Sequence, residues 1–233
     1  MRRQRRALLA ALLVPTLLAT CDDEPNSLEL TTVTSGTISG IPFTVSGGTV
    51  YQVGSDGPLY ADATGGQIVF DEGPAGLGMS DPDLLHVRTH FALSADGSLQ
   101  LGAFGDAGSE FDTGVTVALN RVTGAGIVYE LRFGGALVAD TTLDPQPQFI
   151  NAEHWVVTEL YADSVPGAPA GEAGAALWPI NDLTPQASED VLGCGVDPST
   201  DPNPLTGEAV GYALDDAWLL EVEVVDQIVG PCT

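Results

Sequence analysis

The sequence predicts an all-β fold, an antiparallel β-sandwich or partly closed barrel of roughly 10–12 strands. Three observations carry that expectation. The 233 residues include 28 Gly and 16 Pro, which cut the chain into short segments. Inside those segments Val, Thr, Ile and Leu alternate with polar residues, the period-2 pattern of strands with one buried face. No amphipathic pattern of period 3.6 and useful length competes with it.

Alternating segments bounded by turn residues predict strands over residues 28–34, 36–45, 49–53, 67–71, 84–93, 98–104, 113–120, 127–133, 136–141, 154–161, 173–178 and 217–229. The triplet Ala95-Asp96-Gly97 predicts a hairpin between 84–93 and 98–104, because Gly tolerates positive φ. Gly134-Gly135 predicts a second hairpin, and with 113–120 leading into it, residues 113–141 form a meander. Residues 145–149 and 164–174 are rich in Pro, Gly and Ala and predict loops. Residues 179–209, carrying Pro179, Pro185, Pro198, Pro202 and Pro204, predict a long irregular excursion from a single β domain over 29–233.

The N-terminus is of another kind. Arg2, Arg3, Arg5 and Arg6 precede an apolar run, Ala7 to Ala19. A basic start, a short apolar core and small residues at its end define a secretory signal peptide, here residues 1–20. The run is too short to span a bilayer, which takes about 20 apolar residues. It ends in Leu18-Ala19-Thr20-Cys21, which resembles the lipobox of bacterial lipoproteins. The resemblance implies cleavage before Cys21, a diacylglycerol on its thiol, and a tether over residues 21–28. The protein would then be exported and anchored on the periplasmic or extracellular side of a membrane, at the cell envelope. The segment from Ser35 to Val45, with its Gly40-Ile41-Pro42-Phe43 turn, is similar to the opening of many uncharacterised β-sandwich lipoproteins and implies fold and surface location alone.

Lipidation of Cys21 also accounts for an odd cysteine count. The chain holds 3 Cys, and an exported chain with an odd number needs one set apart. Cys194 and Cys232 then remain to pair in an oxidising compartment. Such a bridge would close a loop of about 40 residues and stabilise the fold by about 4 kcal/mol.

Composition excludes several functions. Removing the signal peptide leaves Arg88, Arg121 and Arg132 against all 32 acidic residues, a net charge of about −29. Phosphate backbones are repelled, so nucleic acid is excluded as a partner. Cationic ligands, calcium and neutral glycans remain compatible. The absence of Lys excludes a P-loop and all lysine-based catalysis. No nucleophile elbow, zinc-protease or dinucleotide motif occurs.

The loop from Asp197 to Glu208 is the candidate calcium site. Asp197, Ser199, Asp201 and Glu208 stand at positions 1, 3, 5 and 12 of an EF-hand-like register, and calcium seeks six to eight oxygens. Pro202 occupies the position where an EF-hand turns on Gly, so any such loop is irregular. No other cofactor is expected. Trp155, Trp178 and Trp218, with five Tyr, are candidate stacking platforms for sugar rings. His86 and His90 lie four apart in strand texture, about 13 Å from one another, so they cannot share one metal and are expected on a polar outer face. His154, beside Trp155, is expected to be a strand residue with a packing or hydrogen-bonding role. A glycosidase needs two carboxyl groups at a set separation, which 32 acids cannot specify. The expected function is therefore a lipid-anchored binding or structural module of the envelope and not an enzyme. A calcium- or carbohydrate-binding sandwich is the first alternative and a carboxylate hydrolase the second.

Overall fold

The computed structural model describes residues 29–79, 84–122, 126–142, 154–162, 173–180, 195–197 and 207–225. Residues 1–28, with the lipobox-like cysteine, lie outside them, as do Cys194, Cys232, Ser199 and Asp201.

The described residues form fourteen strands joined in one antiparallel hydrogen-bonded system that does not close. The strands are β1 (Leu30–Val33), β2 (Ser35–Ile38), β3 (Ile41–Gly48), β4 (Val50–Val53), β5 (Leu59–Ala61), β6 (Gly66–Phe70), β7 (Leu84–Gly105), β8 (Val115–Val122), β9 (Gly126–Phe133), β10 (Ala136–Thr142), β11 (His154–Ala162), β12 (Ala173–Ile180), β13 (Gly195–Asp197) and β14 (Ala209–Val224). Among the described residues one short helix, α1 (Glu110–Thr113), follows β7.

Two long strands organise everything else. β7 and β14 pair from Ala209 opposite Gly105 to Val224 opposite Val87, with register shifts near Ala209 and Leu219. A wider break lies between Asp215 and Ala217, where Ser94–Gly97 have no partner on β14. On one side of that break, Ala217–Val224 pairs with Leu93–Val87 and belongs to a layer ordered β1-β4-β5-β14-β7-β11-β12-β13. On the other side, Ala209–Asp215 pairs with Gly105–Ser98 and belongs to a layer ordered β2-β3-β6-β14-β7-β8-β9-β10. Strands that change sheets at a bend are how sandwich corners are made. Residues of both layers, among them Phe43, Ile68 and Leu119 from one and Leu59, Leu85, Phe91 and Leu219 from the other, join a single buried core.

Here the structure departs from the predicted hairpin at Ala95-Asp96-Gly97. These residues lie within continuous β7. Asp96 has φ 61° and, across the pair, Asp216 has φ 44°. The two left-handed residues turn both strands together, so the chain changes layer instead of reversing. Gly97 fits because a Cβ there would stand 2.4 Å from the Asp216 carbonyl oxygen.

Other departures have local causes. The strand expected over 36–45 is two strands, β2 and β3, because Ser39 (φ 53°) and Gly40 (φ 78°) form a two-residue turn with positive φ at both positions, the hairpin geometry that matches strand twist. β14 begins at Ala209, eight residues before the predicted start. β13 and the end of β12 fall inside the stretch expected to be irregular, whose remaining residues up to 206 lie outside the described set. The meander is as predicted: β8, β9 and β10 pair in order.

The core holds one polar pair with a clear energetic role. Tyr212 is fully buried, packs edge-on against Phe70, and its hydroxyl lies 2.6 Å from the Thr89 hydroxyl. Removing one partner strands the other in an apolar interior. Tyr212→Phe is therefore expected to lower stability by about 1–2 kcal/mol in urea unfolding at neutral pH. Burial also pushes the Tyr212 hydroxyl far above its ordinary value of 10.0. Above about pH 10 the unfolded chain releases this proton while the folded chain keeps it, so stability falls with rising pH. The Phe variant should lose less stability than the parent between neutral pH and about pH 11, and equal losses would contradict this account.

Candidate functional site

The outer face of the β1–β13 layer carries a row of three aromatic rings. In β4 the buried residues are Val50 and Gln52, in β5 Leu59 and Ala61, and in β14 Ala217 and Leu219. Alternation turns the intervening Tyr51, Tyr60 and Trp218 the other way, where each is half-buried. Register then places them side by side, Tyr51 opposite Tyr60 and Tyr60 opposite Trp218. The ring centroids of Tyr60 and Trp218 are 4.7 Å apart and those of Tyr51 and Tyr60 are 6.2 Å apart, with an angle of 32° between ring planes in each pair. That tilt is of the size that sheet twist imposes, about 20–25° per strand. A centroid separation of 4.7 Å is shorter than rings lying edge to edge allow, so Tyr60 and Trp218 overlap in a tilted, offset stack. The row is a stepped platform across about 10 Å of sheet.

Two carboxylates flank the central ring. The Tyr60 hydroxyl donates to Asp216 Oδ1 at 3.2 Å. Asp216, at the corner, donates its backbone N–H to the Asp62 carbonyl at 3.2 Å, which holds Asp62 beside it. Asp62 Oδ1 accepts from the Thr64 N–H at 2.9 Å and the Thr64 hydroxyl at 2.5 Å. These bonds hold the Asp62 carboxyl below its ordinary value. The Tyr60 hydroxyl is held above its own by partial burial first, then by the hydrogen bond to Asp216 and the negative charges of Asp216 and Asp62. Among the described residues neither carboxylate is paired with an arginine. Arg88 pairs with Glu223, Arg132 with Glu130, and Arg121 donates to the Leu93 carbonyl at 3.0 Å.

Among the residues the sequence singled out, Trp218 belongs to this platform. Trp155 pairs in register with His90 on β7 and Trp178 with Val157 on β11, so neither stands in the Tyr51–Tyr60–Trp218 row. Asp197 ends β13, opposite Ala173, and Glu208 is exposed just before β14. Their proposed companions Ser199 and Asp201 lie outside the described residues. His86 and His90 are both on β7, and His154 begins β11 opposite Phe91. His86 departs from the outer-face expectation: it is buried, as are Leu85 and Val87 on either side, so both faces of this central strand are covered there. Tyr51 and Tyr60 were foreseen only among five candidate tyrosines.

One further acidic group stands apart. Glu110, in α1, is buried; its Oε2 accepts the Gly108 N–H at 2.9 Å while Oε1 has no hydrogen-bond partner. Among the described residues no three His, Cys, Asp or Glu side chains gather as a metal site, so Glu110 has no acidic companions for a cation.

No protein-family model matches the chain, and no curated protein matches it significantly. Among solved structures it is similar to the carbohydrate recognition domain of Emp46p in its potassium-bound form, at 13% identity and a TM-score of 0.49, with 80% of this chain and 89% of that chain covered. It is similar also to the carbohydrate recognition domain of Emp47p, at 9% identity, the same TM-score of 0.49 and the same coverage of 80% and 89%.

Glu110 allows a direct check of local electrostatics. Burying a charged group with an oxygen left bare is unfavourable, and a neutral amide of the same shape is easier to bury. Glu110→Gln is expected to raise the urea midpoint at neutral pH, whereas Glu110→Ala, which loses the Gly108 bond and opens space, should lower stability by about 1–2 kcal/mol.

Proposed function

We propose that this chain is a carbohydrate-binding β-sandwich held at the cell envelope by an N-terminal lipid. The observation that carries the binding reading is the row formed by Tyr51, Tyr60 and Trp218. The negative face of an aromatic ring attracts the weakly positive C–H bonds along the flat side of a pyranose. A row about 10 Å long accommodates about two such rings in succession. The Asp62 and Asp216 carboxylates beside it supply acceptors for sugar hydroxyls, and hydrogen bonds to a charged acceptor are stronger than neutral ones. The lipobox-like Leu18-Ala19-Thr20-Cys21 supports the location. The role is binding rather than cleavage.

The test is affinity for soluble polysaccharides measured by calorimetry or affinity electrophoresis. Trp218→Ala is expected to weaken binding at least about tenfold while leaving the fold intact, as removal of an aromatic anchor does. Leu137→Ala, at an exposed residue of β10 in the other layer, should leave binding unchanged. Equal loss in both variants, or none in either, would remove the platform from the explanation.

The anchoring reading is tested separately by mass spectrometry of the protein from its own membrane fraction. The expected N-terminal peptide starts at Cys21 and carries acyl mass. A peptide with an unmodified Cys21 would overturn it.

A further inference from the structure

The surroundings of the platform point to the charge of its ligand. Tyr60, the central ring, sits between two carboxylates, and each keeps its Oδ2 without a hydrogen-bond partner among the described residues. Among the described residues no arginine pairs with either one, and the chain contains no lysine. Asp215, next to Asp216, and Glu221, on the same strand beyond Trp218, add exposed negative charge. Ring faces also attract cations, most strongly the indole of Trp. An anionic sugar laid on this row would meet two uncompensated charges. A neutral sugar would gain the stacking alone. A sugar bearing a protonated amine would gain the stacking, the cation–ring attraction and the two carboxylates together.

We infer that the Tyr51–Tyr60–Trp218 platform selects cationic amino sugars, 2-amino-2-deoxyhexose units with a free amine, over their N-acetylated and anionic counterparts, with Asp62 and Asp216 receiving the ammonium group. The inference rests on the carbohydrate-binding reading above and adds the class of sugar. The geometry favours an extended ligand over a lone methylated ammonium, because the rings overlap in a stepped row along the sheet and do not enclose a volume. Asp216 is suited to the role: its Oδ1 is fixed by the Tyr60 hydroxyl, which leaves Oδ2 directed by a held carboxylate. Asp62 is fixed in the same way through Oδ1 by Thr64.

The experiment compares three β-1,4-linked hexamers on the full chain by calorimetry at about pH 5.5, where carboxylates are ionised and amines protonated. They are a glucosamine hexamer, its fully N-acetylated form and a glucose hexamer. The glucosamine hexamer should bind about tenfold more tightly than either neutral hexamer at low salt. The difference should shrink as salt rises, because exposed charges are screened. The double variant Asp62→Asn, Asp216→Asn keeps an acceptor oxygen for Tyr60 and Thr64 while removing both charges. It should lose the preference and retain binding of the neutral hexamers. Trp218→Ala should lose all three ligands.

The alternatives separate cleanly. Equal affinity for the three hexamers, abolished by Trp218→Ala, would overturn the charge selection and leave the carbohydrate platform standing. Retention of the glucosamine hexamer by Trp218→Ala would mean a general attraction to an acidic surface, and would overturn the inference. Failure of all three hexamers on the parent chain would overturn the platform itself.

Discussion

The shared corner in β7 and β14 is the constraint on which the rest of the structure depends. A sheet this wide exposes two faces, and one must be covered for the chain to fold. Bending the central pair once lets both layers contribute to one core without a second domain or a helical cover. The bend needs left-handed backbone on both strands at the same level, supplied by Asp96 and Asp216. It also needs the two backbones to approach closely, which the absence of a side chain at Gly97 permits. Left-handed residues other than Gly are unfavourable in isolation, so they persist where pairing on either side fixes them. Here that pairing runs from Ala209 to Val224 along one strand.

The corner also builds the candidate site. Once β14 has turned, its second half runs beside β5 and places Trp218 against Tyr60. The residue at the turn, Asp216, has its N–H directed to the Asp62 carbonyl and its carboxylate to the Tyr60 hydroxyl. The acceptors and the stacking surface are thus products of one backbone event. A change that straightened the corner would separate Asp216 from Tyr60 before it disturbed the rings themselves.

Elements set by local chemistry were legible in the sequence, and those set by distant pairing were not. Gly134-Gly135 announces its turn because two consecutive residues with positive φ (51° and 75°) need little else to form it. Ala95-Asp96-Gly97 carries the same local signal but serves a bend, since the partner that decides between reversal and bending, Asp215 to Ala217, lies far away in the chain. β5 is three residues long, too short for alternation to register, although it is the strand that joins Tyr51 to Trp218. Trp218 stood out by residue type alone. Its neighbours did not, because Tyr51 and Tyr60 become a row only through the register of β4, β5 and β14. The buried Tyr212–Thr89 pair was hidden for the same reason, being 123 residues apart.

The proposed anchor and the proposed platform bear on each other. β1 starts at Leu30, and its Thr32 pairs with Tyr51 at the end of the aromatic row. From Cys21 to Leu30 the chain can reach at most about 30 Å when fully extended. A lipid on Cys21 would therefore hold the edge of the ring row within about that distance of the bilayer. An acidic body repels anionic headgroups, and the repulsion falls off within about a Debye length, roughly 8–10 Å at ordinary salt. Tether reach exceeds that length severalfold, so the charge can keep the domain off the membrane while the lipid keeps it near. The platform would then lie close above the bilayer, where a polymer fixed to the envelope is present at high local concentration and weak single-site affinity is raised by it.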